Sequence, residues 1–326
     1  MPTPNVAIVG AGVAGLSCAR VLHDAGVPVT VFDKGRGPGG RISTRGGEIA
    51  FDHGAQYFTV ADEDFRAAVD QWVQRSVVAE WHGHVVAIDR PGVLSPSTRR
   101  PRFVGVPGMS ALAVSLAQSL DLRTGVTIAP PTRGDAGWTL TDEDGRPRGT
   151  FDTLVITAPP VQTAALLGAH PLSDVVSQAE MAPCLAVMAA WDADLDLGFD
   201  GAFVNQGPLA WVARNGSKPG RRHPHSWVLH GSREWSSAHV DAPADEYLAP
   251  LLDAFAEAAG IEELPPPAHV AGHRWRYALP TQPLDTRCLW DPARRVAVAG
   301  DWCGGPRVEG AWLSGRAAAT RILDGS

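Results

Sequence analysis

The feature that most restricts the fold is a run of elements within the first 33 residues. A short β-rich stretch at residues 6–9 is followed at once by the glycine pattern Gly-Ala-Gly-Val-Ala-Gly at residues 10–15. Residues 16–25 then have the character of a helix, and a second β-rich stretch, residues 29–32, ends in Asp33. Strand, GxGxxG turn, helix, strand and acid are the order that a dinucleotide-binding βαβ unit requires.

Each part of this unit has its own task. Gly10 permits the tight turn, Gly12 lets the backbone approach a diphosphate, and Gly15 lets the helix pack closely on the sheet. The helix N-terminus offers free N–H groups to phosphates, and Asp33 can accept hydrogen bonds from ribose hydroxyls. The alternative is an ordinary glycine-rich turn, and the motif alone does not separate NAD from FAD. The predicted cofactor contacts here are Gly10, Gly12, Val13, Ala14, Gly15, Asp33 and Lys34.

A glycine doublet follows the second predicted strand. Residues 39–44 read Gly-Gly-Arg-Ile-Ser-Thr, so two positions without side chains precede an arginine whose planar fork suits a phosphate. This pattern resembles the GG-doublet flavoproteins, the superfamily of amine oxidases and their relatives, in which the doublet helps to hold FAD. The resemblance implies that Gly40 and Arg41 contact the cofactor.

Further segments narrow the resemblance. Residues 51–59 read Phe-Asp-His-Gly-Ala-Gln-Tyr-Phe-Thr and are similar to a segment of the renalase-like branch of these flavoproteins. Residues 107–112, 213–221 and 300–315 resemble the same branch in bacteria. The resemblance therefore runs from the first strand to the last helix, and it adds Gly54, Ala55 and Gln56 to the predicted cofactor contacts.

The resemblance also implies an activity. Renalase-like enzymes use non-covalent FAD to oxidise dihydronicotinamides that carry the hydride on the wrong ring carbon, which are isomers of NAD(P)H. The hydride passes to flavin N5, the product is NAD(P)⁺, and O₂ is reduced to H₂O₂. The expected partners are therefore a dihydronicotinamide dinucleotide and O₂.

The closing segment has a physical interpretation of its own. Residues 296–299 are typical of a buried strand, which ends at Asp301, and residues 308–322 are typical of a helix. A strand end that meets a helix N-terminus is the usual ligand edge of an open parallel sheet. We expect Asp301 to bind the ribityl or diphosphate region, although such an acid can also cap a helix. The amides at Val308 and Glu309 are expected to face the flavin pyrimidine ring, and Cys303 is interpreted as a packing thiol.

These elements predict an α/β fold with a discontinuous, Rossmann-type FAD-binding domain of the p-hydroxybenzoate-hydroxylase-like class. The predicted FAD-binding domain comprises residues 1–60, 104–160 and 291–326, with Val126 near the adenine. Residues 61–103 and 161–290 are predicted to form a mixed α/β substrate domain.

The predicted substrate contacts rest on less specific signals. Gln56 and Tyr57 are favoured because they follow a cofactor-contacting segment, and Arg214 and His230 come next. Aromatic and arginine side chains suit a nicotinamide ring and a phosphate, but aromatic residues at alternating strand positions are more often core. Two His-x-His pairs lack accompanying acids or cysteines, so no metal site is predicted. The arginines at 99–102 and 221–222 are interpreted as parts of solvated loops, and phosphate steering by either group is the alternative.

Composition limits the partners and the compartment. The formal net charge of −7 argues against nucleic acid as the main partner. No apolar run reaches the roughly 18 residues that a membrane helix needs. The four cysteines are scattered, and the N-terminus lacks the features of a secretory leader, so a cytoplasmic protein is predicted.

The sequence leaves two other functions as alternatives. A true amine oxidase on the same fold usually has a lysine near flavin N5, and Lys218 is expected to lie in a Pro/Gly loop, which counts against that role. A non-catalytic flavin- or nucleotide-binding module, such as a redox sensor, is the other alternative. Hydride transfer from a dihydronicotinamide requires positioning more than acid–base chemistry, which agrees with the lack of an obvious catalytic triad.

Overall fold

The computed structural model describes residues 5–97 and 100–325. Within these ranges the strands, in chain order, are β1 (Val6–Val9), β2 (Val29–Asp33), β3 (Thr44–Arg45), β4 (Phe51–Asp52), β5 (Val78–Glu80), β6 (Val85–Arg90), β7 (Val93–Pro96), β8 (Phe103–Gly105), β9 (Asp121–Thr124), β10 (Thr132–Gly134), β11 (Gly137–Thr141), β12 (Pro147–Phe151), β13 (Thr153–Ile156), β14 (Glu180–Ala190), β15 (Gly201–Val204), β16 (Leu209–Arg214), β17 (Ser226–Gly231), β18 (His269–Gln282), β19 (Leu289–Asp291) and β20 (Val296–Val298). The helices are α1 (Val13–Asp24), α2 (Glu63–Gln74), α3 (Ser110–Ala117), α4 (Pro160–Leu167), α5 (Leu172–Val176), α6 (Arg233–Ala238), α7 (Ala244–Ala259) and α8 (Arg307–Asp324). None of the helices in these described ranges combines the length and the apolar character of a membrane span.

A six-stranded sheet in the order β19-β20-β13-β1-β2-β9 forms the first layer system. Strands β20, β13, β1, β2 and β9 pair in parallel, and β19 adds an antiparallel edge. Side chains of a strand alternate between faces, and accordingly Val6 and Ile8 join a core with α1 and α8, whereas Ala7 joins a core with β11 and β12. The predicted strand–turn–helix–strand unit is confirmed, with α1 beginning at Val13, three residues before the predicted start.

A seven-stranded, mostly antiparallel sheet forms the second layer system, in the order β18-β14-β17-β16-β15-β6-β7. Helix α7 covers one face, where its buried residues Tyr247, Leu251 and Phe255 pack with Val187 and Trp227 of the sheet. This sheet takes its strands from residues 85–96 and 180–282.

The two systems share a hydrophobic core. Phe65 of α2 lies 5.3 Å from Trp312 of α8, measured between ring centroids, and Trp81 and Trp211 belong to the same buried cluster as α1. The predicted boundary at residue 60 therefore runs through one continuous core, and the division into two domains stays a prediction.

Candidate functional site

The first part of the site is the turn between β1 and α1. Gly12 is the N-cap of α1, and no side chain caps this helix end. A Cβ built on Gly12 meets nothing within 4 Å, while one built on Gly40 would lie 3.7 Å from Gly12 Cα. Gly39 N–H donates to Ala11 O at 2.8 Å, so the glycine doublet lies directly beside the turn. An uncapped helix N-terminus that faces open space between glycines fits the diphosphate of a dinucleotide.

Asp33 and Val126 lie beside this turn. The Asp33 carboxylate accepts the Ala11 N–H at 2.6 Å and the Gly35 N–H at 2.6 Å. Val126 N–H donates to Asp33 O at 2.9 Å. The acid therefore also stabilises the two backbone turns around it, a role beyond the predicted ribose contact. Lys34 is exposed next to it.

Arg41 and Asp301 come together, but in a different way from the prediction. Arg41 Nη1 and Nη2 donate to the two Asp301 oxygens at 2.7 and 2.6 Å, and Nη1 also donates to Ala278 O at 3.1 Å. The two predicted cofactor contacts thus bind each other as a fork-to-carboxylate pair. Ala55 N–H donates to Arg41 O at 2.9 Å, and a Cβ on Gly54 would collide with that same oxygen.

Helix α8 presents its N-terminus at the end of β20. Its N-cap, Pro306, offers no side-chain cap, and Val308 is buried in the first turn. The Glu309 carboxylate accepts N–H groups from Ala61 at 2.7 Å and Asp62 at 3.1 Å. Burial raises the pKa of Cys303, so the thiol stays protonated, as expected of a packing residue. Non-covalent attachment of the cofactor stays a prediction.

A fully buried ionic group lies directly before Gly54, and we call Asp52, Lys218, Arg221 and Gln56 the Asp52 cluster. The side chains of Asp52 and Lys218 are 0% exposed and that of Arg221 is 2% exposed. Lys218 Nζ donates to Gln56 Oε1 at 2.9 Å and to Asp52 Oδ2 at 3.4 Å, and Arg221 Nη2 donates to Asp52 Oδ2. The Gln56 amide nitrogen in turn donates to Asp52 O.

These positions correct two expectations. Arg221 was expected in a solvated loop and Lys218 in a Pro/Gly loop, but both side chains lie in the interior, paired with Asp52. Burial acts to raise the pKa of Asp52, yet the charges of Lys218 and Arg221 outweigh it and lower that pKa. Burial lowers the pKa of Lys218 to about 8, against the opposing attraction of Asp52.

Arg100 and Arg102 belong to the other predicted loop, whose Arg99 lies outside the described residues. Arg102 is buried, and its guanidinium lies 5.3 Å from the Tyr57 ring centroid.

Aromatic and imidazole rings surround Gly54 on the other side, and we call His53, His230, His273 and Trp275 the His53 cluster. The His53 ring centroid lies 4.5 Å from that of His273 and 4.9 Å from that of Trp275. His230 Nε2 and Trp275 Nε1 both donate to His53 O, at 3.2 and 2.9 Å. His53 Nδ1 is buried and has no hydrogen-bond partner among the described residues.

Burial sets the charge state of this cluster. It lowers the pKa of His53 to about 4, helped by the nearby His273 and Arg45, and it lowers the pKa of His230 to about 4. Burial also lowers the pKa of His273. The His53 and His230 rings are therefore neutral at pH 7.

The two remaining predicted substrate contacts have other neighbours. The Tyr57 ring lies 5.4 Å from the Trp211 ring, between the two layer systems. Arg214 Nε and Nη2 donate to Asp200 Oδ1 at 2.9 and 2.5 Å, and Nη1 donates to Asp194 at 3.1 Å. The structure thus gathers Gln56 and His230 around Gly54, and it places Arg214 in an ion-pair group of its own.

Sequence reasoning missed Asp52 and His53, and it counted Trp275 among the aromatic side chains that are more often core. Asp52 and His53 lie inside the segment 51–59 that carried the resemblance, so their position beside Gln56 was a usable signal. Among the residues that the structure describes, no group of three or more His, Cys, Asp or Glu side chains could hold a metal ion.

Comparisons with known proteins agree with this geometry. A family model described as an NAD(P)-binding Rossmann-like domain matches residues 8–72, and one described as flavin containing amine oxidoreductase matches residues 64–323. A crystal structure from Exiguobacterium sp. 255-15, described as a candidate protoporphyrinogen oxidase, has a TM-score of 0.79 at 14% identity and covers 99% of this chain and 100% of its own.

A structure of wild-type putrescine oxidase bound to putrescine has a TM-score of 0.73 at 14% identity and covers 98% of this chain and 99% of its own. At this identity these likenesses show the fold, which confirms the predicted α/β class. The second family model spans more than half of the chain and implies a flavin cofactor. The chain therefore belongs to the flavin-containing amine oxidoreductase family.

Proposed function

We propose that this oxidoreductase is an FAD-dependent oxidase of the renalase type, which oxidises misreduced isomers of NAD(P)H to NAD(P)⁺. In the net reaction the dihydronicotinamide loses a hydride, O₂ gains two electrons, one proton comes from solvent, and the products are NAD(P)⁺ and H₂O₂. FAD, when bound, accepts the hydride and passes the electrons to O₂.

The cofactor would lie along the residues that the fold brings together. The α1 N-terminus at Gly12 would hold the diphosphate, Asp33 the ribose of the adenosine half, and Asp301 the ribityl region. The uncapped first turn of α8 would face the pyrimidine ring. These proposed cofactor contacts run from Gly12 through the glycine doublet to Gly54, which lies between the Asp52 and His53 clusters.

The observation that carries the proposal is the neutral His53 cluster beside Gly54. A dihydronicotinamide is already a hydride donor, so its oxidation requires positioning and no base. An alkylammonium has to lose a proton before it can donate hydride, and an imidazole whose pKa is about 4 is a weak base for that step. The faces of Trp275 and the imidazoles also suit the positive charge that develops on the nicotinamide ring.

Within the Asp52 cluster, Gln56 is the side chain that contacts Gly54, because its amide nitrogen donates to Gly54 O at 3.1 Å. Its amide oxygen accepts from Lys218 and its amide nitrogen donates to Asp52 O, so both ends of the amide are fixed. Gln56 is thereby held in one orientation beside Gly54. We propose that this orientation limits how the dihydronicotinamide ring can lie.

One observation favours an amine oxidase as the second candidate. Lys218 is buried beside Gln56, so its loop position no longer counts against a role near the flavin. At pH 8 and above a growing fraction of this lysine is uncharged and able to accept a proton, since burial lowers its pKa to about 8.

Anaerobic bleaching of the bound flavin separates these candidates. FAD-loaded protein is mixed with borohydride-treated NAD⁺, with ordinary NADH, and with amines that include putrescine. The proposal expects fast bleaching by the borohydride product, at a rate that does not rise between pH 7 and pH 9. Bleaching by amines alone would establish the amine oxidase instead, and bleaching by none would favour a flavin-binding module.

The cofactor itself is tested at Gly12. Gly12→Val places a side chain in the open space between the glycines, so FAD content should fall at least tenfold while the apoprotein keeps its helix content. Gly46→Ala is the matched control, because a Cβ there also meets nothing within 4 Å. Equal FAD content in both variants would exclude the proposed position of the diphosphate.

A further inference from the structure

A positively charged cavity, separate from the two clusters around Gly54, lies beside the first turn of α8. A cavity of about 410 Å³ is lined by three arginines, Arg66, Arg100 and Arg307, together with Glu309 and residues 59–61. All three arginines are exposed. They come from α2, from the segment before β8, and from the start of α8.

Within residues 5–97 and 100–325 these arginines form no ion pairs. Among the described residues, none of the three has an acidic side chain within ion-pair distance, whereas Arg41, Arg214 and Arg221 all do. The one acid of the cavity, Glu309, uses a carboxylate oxygen to accept the Ala61 and Asp62 N–H groups. Three guanidinium groups thus face one carboxylate that is already hydrogen-bonded.

Arg307 carries a second, independent sign of function. Its φ is 88°, in the left-handed region that a residue with a long side chain rarely adopts. Such a conformation costs about 1–3 kcal/mol and persists where the surrounding structure requires it, often at ligand sites. Here the strained residue lines the cavity and directly precedes Val308.

We propose that this cavity binds a phosphate group of the substrate, namely the diphosphate of the dihydronicotinamide dinucleotide, and so selects dinucleotides over phosphate-free nicotinamides. Guanidinium forks match phosphate oxygens in geometry and charge. The proposed position of the FAD diphosphate is the uncapped α1 N-terminus, so we assign the phosphate site of this cavity to a second ligand. This inference rests on the proposed function, because it concerns the substrate of that same site.

The test compares two substrates and two sets of variants. Borohydride products of NAD⁺ and of nicotinamide riboside carry the same ring isomers, but only the first contains phosphate. Stopped-flow bleaching of the FAD-loaded protein gives the Kd of each. The double variant Arg66→Gln/Arg100→Gln and the single variant Arg307→Asn, which tolerates a positive φ, are each expected to raise the dinucleotide Kd about tenfold and to leave the riboside Kd unchanged.

Arg75→Gln is the matched control. Arg75 is exposed at the other end of α2, nine residues or about 14 Å along the helix from Arg66. It should leave both Kd values at the wild-type level. Binding of inorganic diphosphate, measured as competition against the dinucleotide, should weaken in the cavity variants and not in Arg75→Gln.

The outcomes separate this inference from the proposed function. If wild-type protein binds the riboside as tightly as the dinucleotide, or if the variants weaken both equally, the phosphate site is wrong while the activity stands. If the cavity variants lose FAD, the arginines serve the cofactor, and the inference is likewise wrong. If neither substrate bleaches the flavin, the proposed function fails, and this inference fails with it.

Discussion

The Asp52 cluster and the arginine cavity use the same kinds of side chain in opposite ways. In the Asp52 cluster two cations are fully enclosed, and one carboxylate receives hydrogen bonds from both. In the cavity three arginines lie at the surface with no acidic partner among the described residues. A buried charge must be paired inside the protein because water is excluded, whereas an exposed charge is stabilised by water until a ligand replaces it.

The comparison separates two tasks that charged residues can perform in one protein. The enclosed charges of the Asp52 cluster fix the position of Gln56, and these side chains come together only in the folded protein. The exposed arginines of the cavity are proposed to bind an anion, and the strength of that binding should depend on the ionic strength of the solution. Two measurements test this distinction, and a third tests how burial sets the charge of the His53 cluster; they follow in order of decreasing effect.

The largest effect is expected for Asp52→Asn. This change leaves Arg221 and Lys218 buried without a counter-charge, and breaking such a group costs about 3–5 kcal/mol of unfolding free energy. Urea denaturation of the FAD-loaded protein measures it. Lys218→Met should cost less, because Asp52 keeps its pair with Arg221.

Asp24→Asn is the control for this prediction. Asp24 is exposed and pairs with Arg20 four residues away on α1, so its replacement should not change the urea midpoint measurably. If Asp52→Asn behaves like Asp24→Asn, the Asp52 cluster does not stabilise the fold.

An intermediate effect is expected on acidification. The pKa of His53 and that of His230 are about 4 in the folded protein, below the 6.5 of a free histidine, so the unfolded chain binds more protons between these values. Their contribution to stability is complete above pH 6.5 and is lost as the pH falls through 4. Each ring should lower the unfolding free energy by about 1 kcal/mol per pH unit within this window.

The variant His230→Asn should flatten the pH dependence of stability between pH 6.5 and pH 4. His82→Asn, at a side chain that is 80% exposed, should leave the slope unchanged. Equal slopes for both variants would mean that His230 is charged in the folded state.

The smallest effect is that of salt. Raising NaCl from 50 to 300 mM should raise the dinucleotide Kd about threefold, because exposed charges are screened at this ionic strength. The difference in unfolding free energy between wild type and Asp52→Asn should stay nearly constant, since buried pairs are screened less. A salt-independent dinucleotide Kd would remove the electrostatic argument for the cavity.

A feature could be predicted from the sequence when its interacting residues lie close together along the chain. The unit from β1 to β2 depends on local glycines and periodicity, and the strand and helix around Asp301 are equally local, so both were found within a few residues. The burial of Lys218 depends on Asp52, 166 positions away, and its loop composition gave no sign of that partner. Trp275 reaches His53 across 222 positions for the same reason.

The Arg41 guanidinium bridges the two halves of the molecule. It binds Asp301 after the parallel sheet and Ala278 on the longest strand of the other sheet. A motion that separates the sheets must break one of these links, because a single rigid fork holds both. A substitution of Arg41 would therefore remove a contact to both sheets at once.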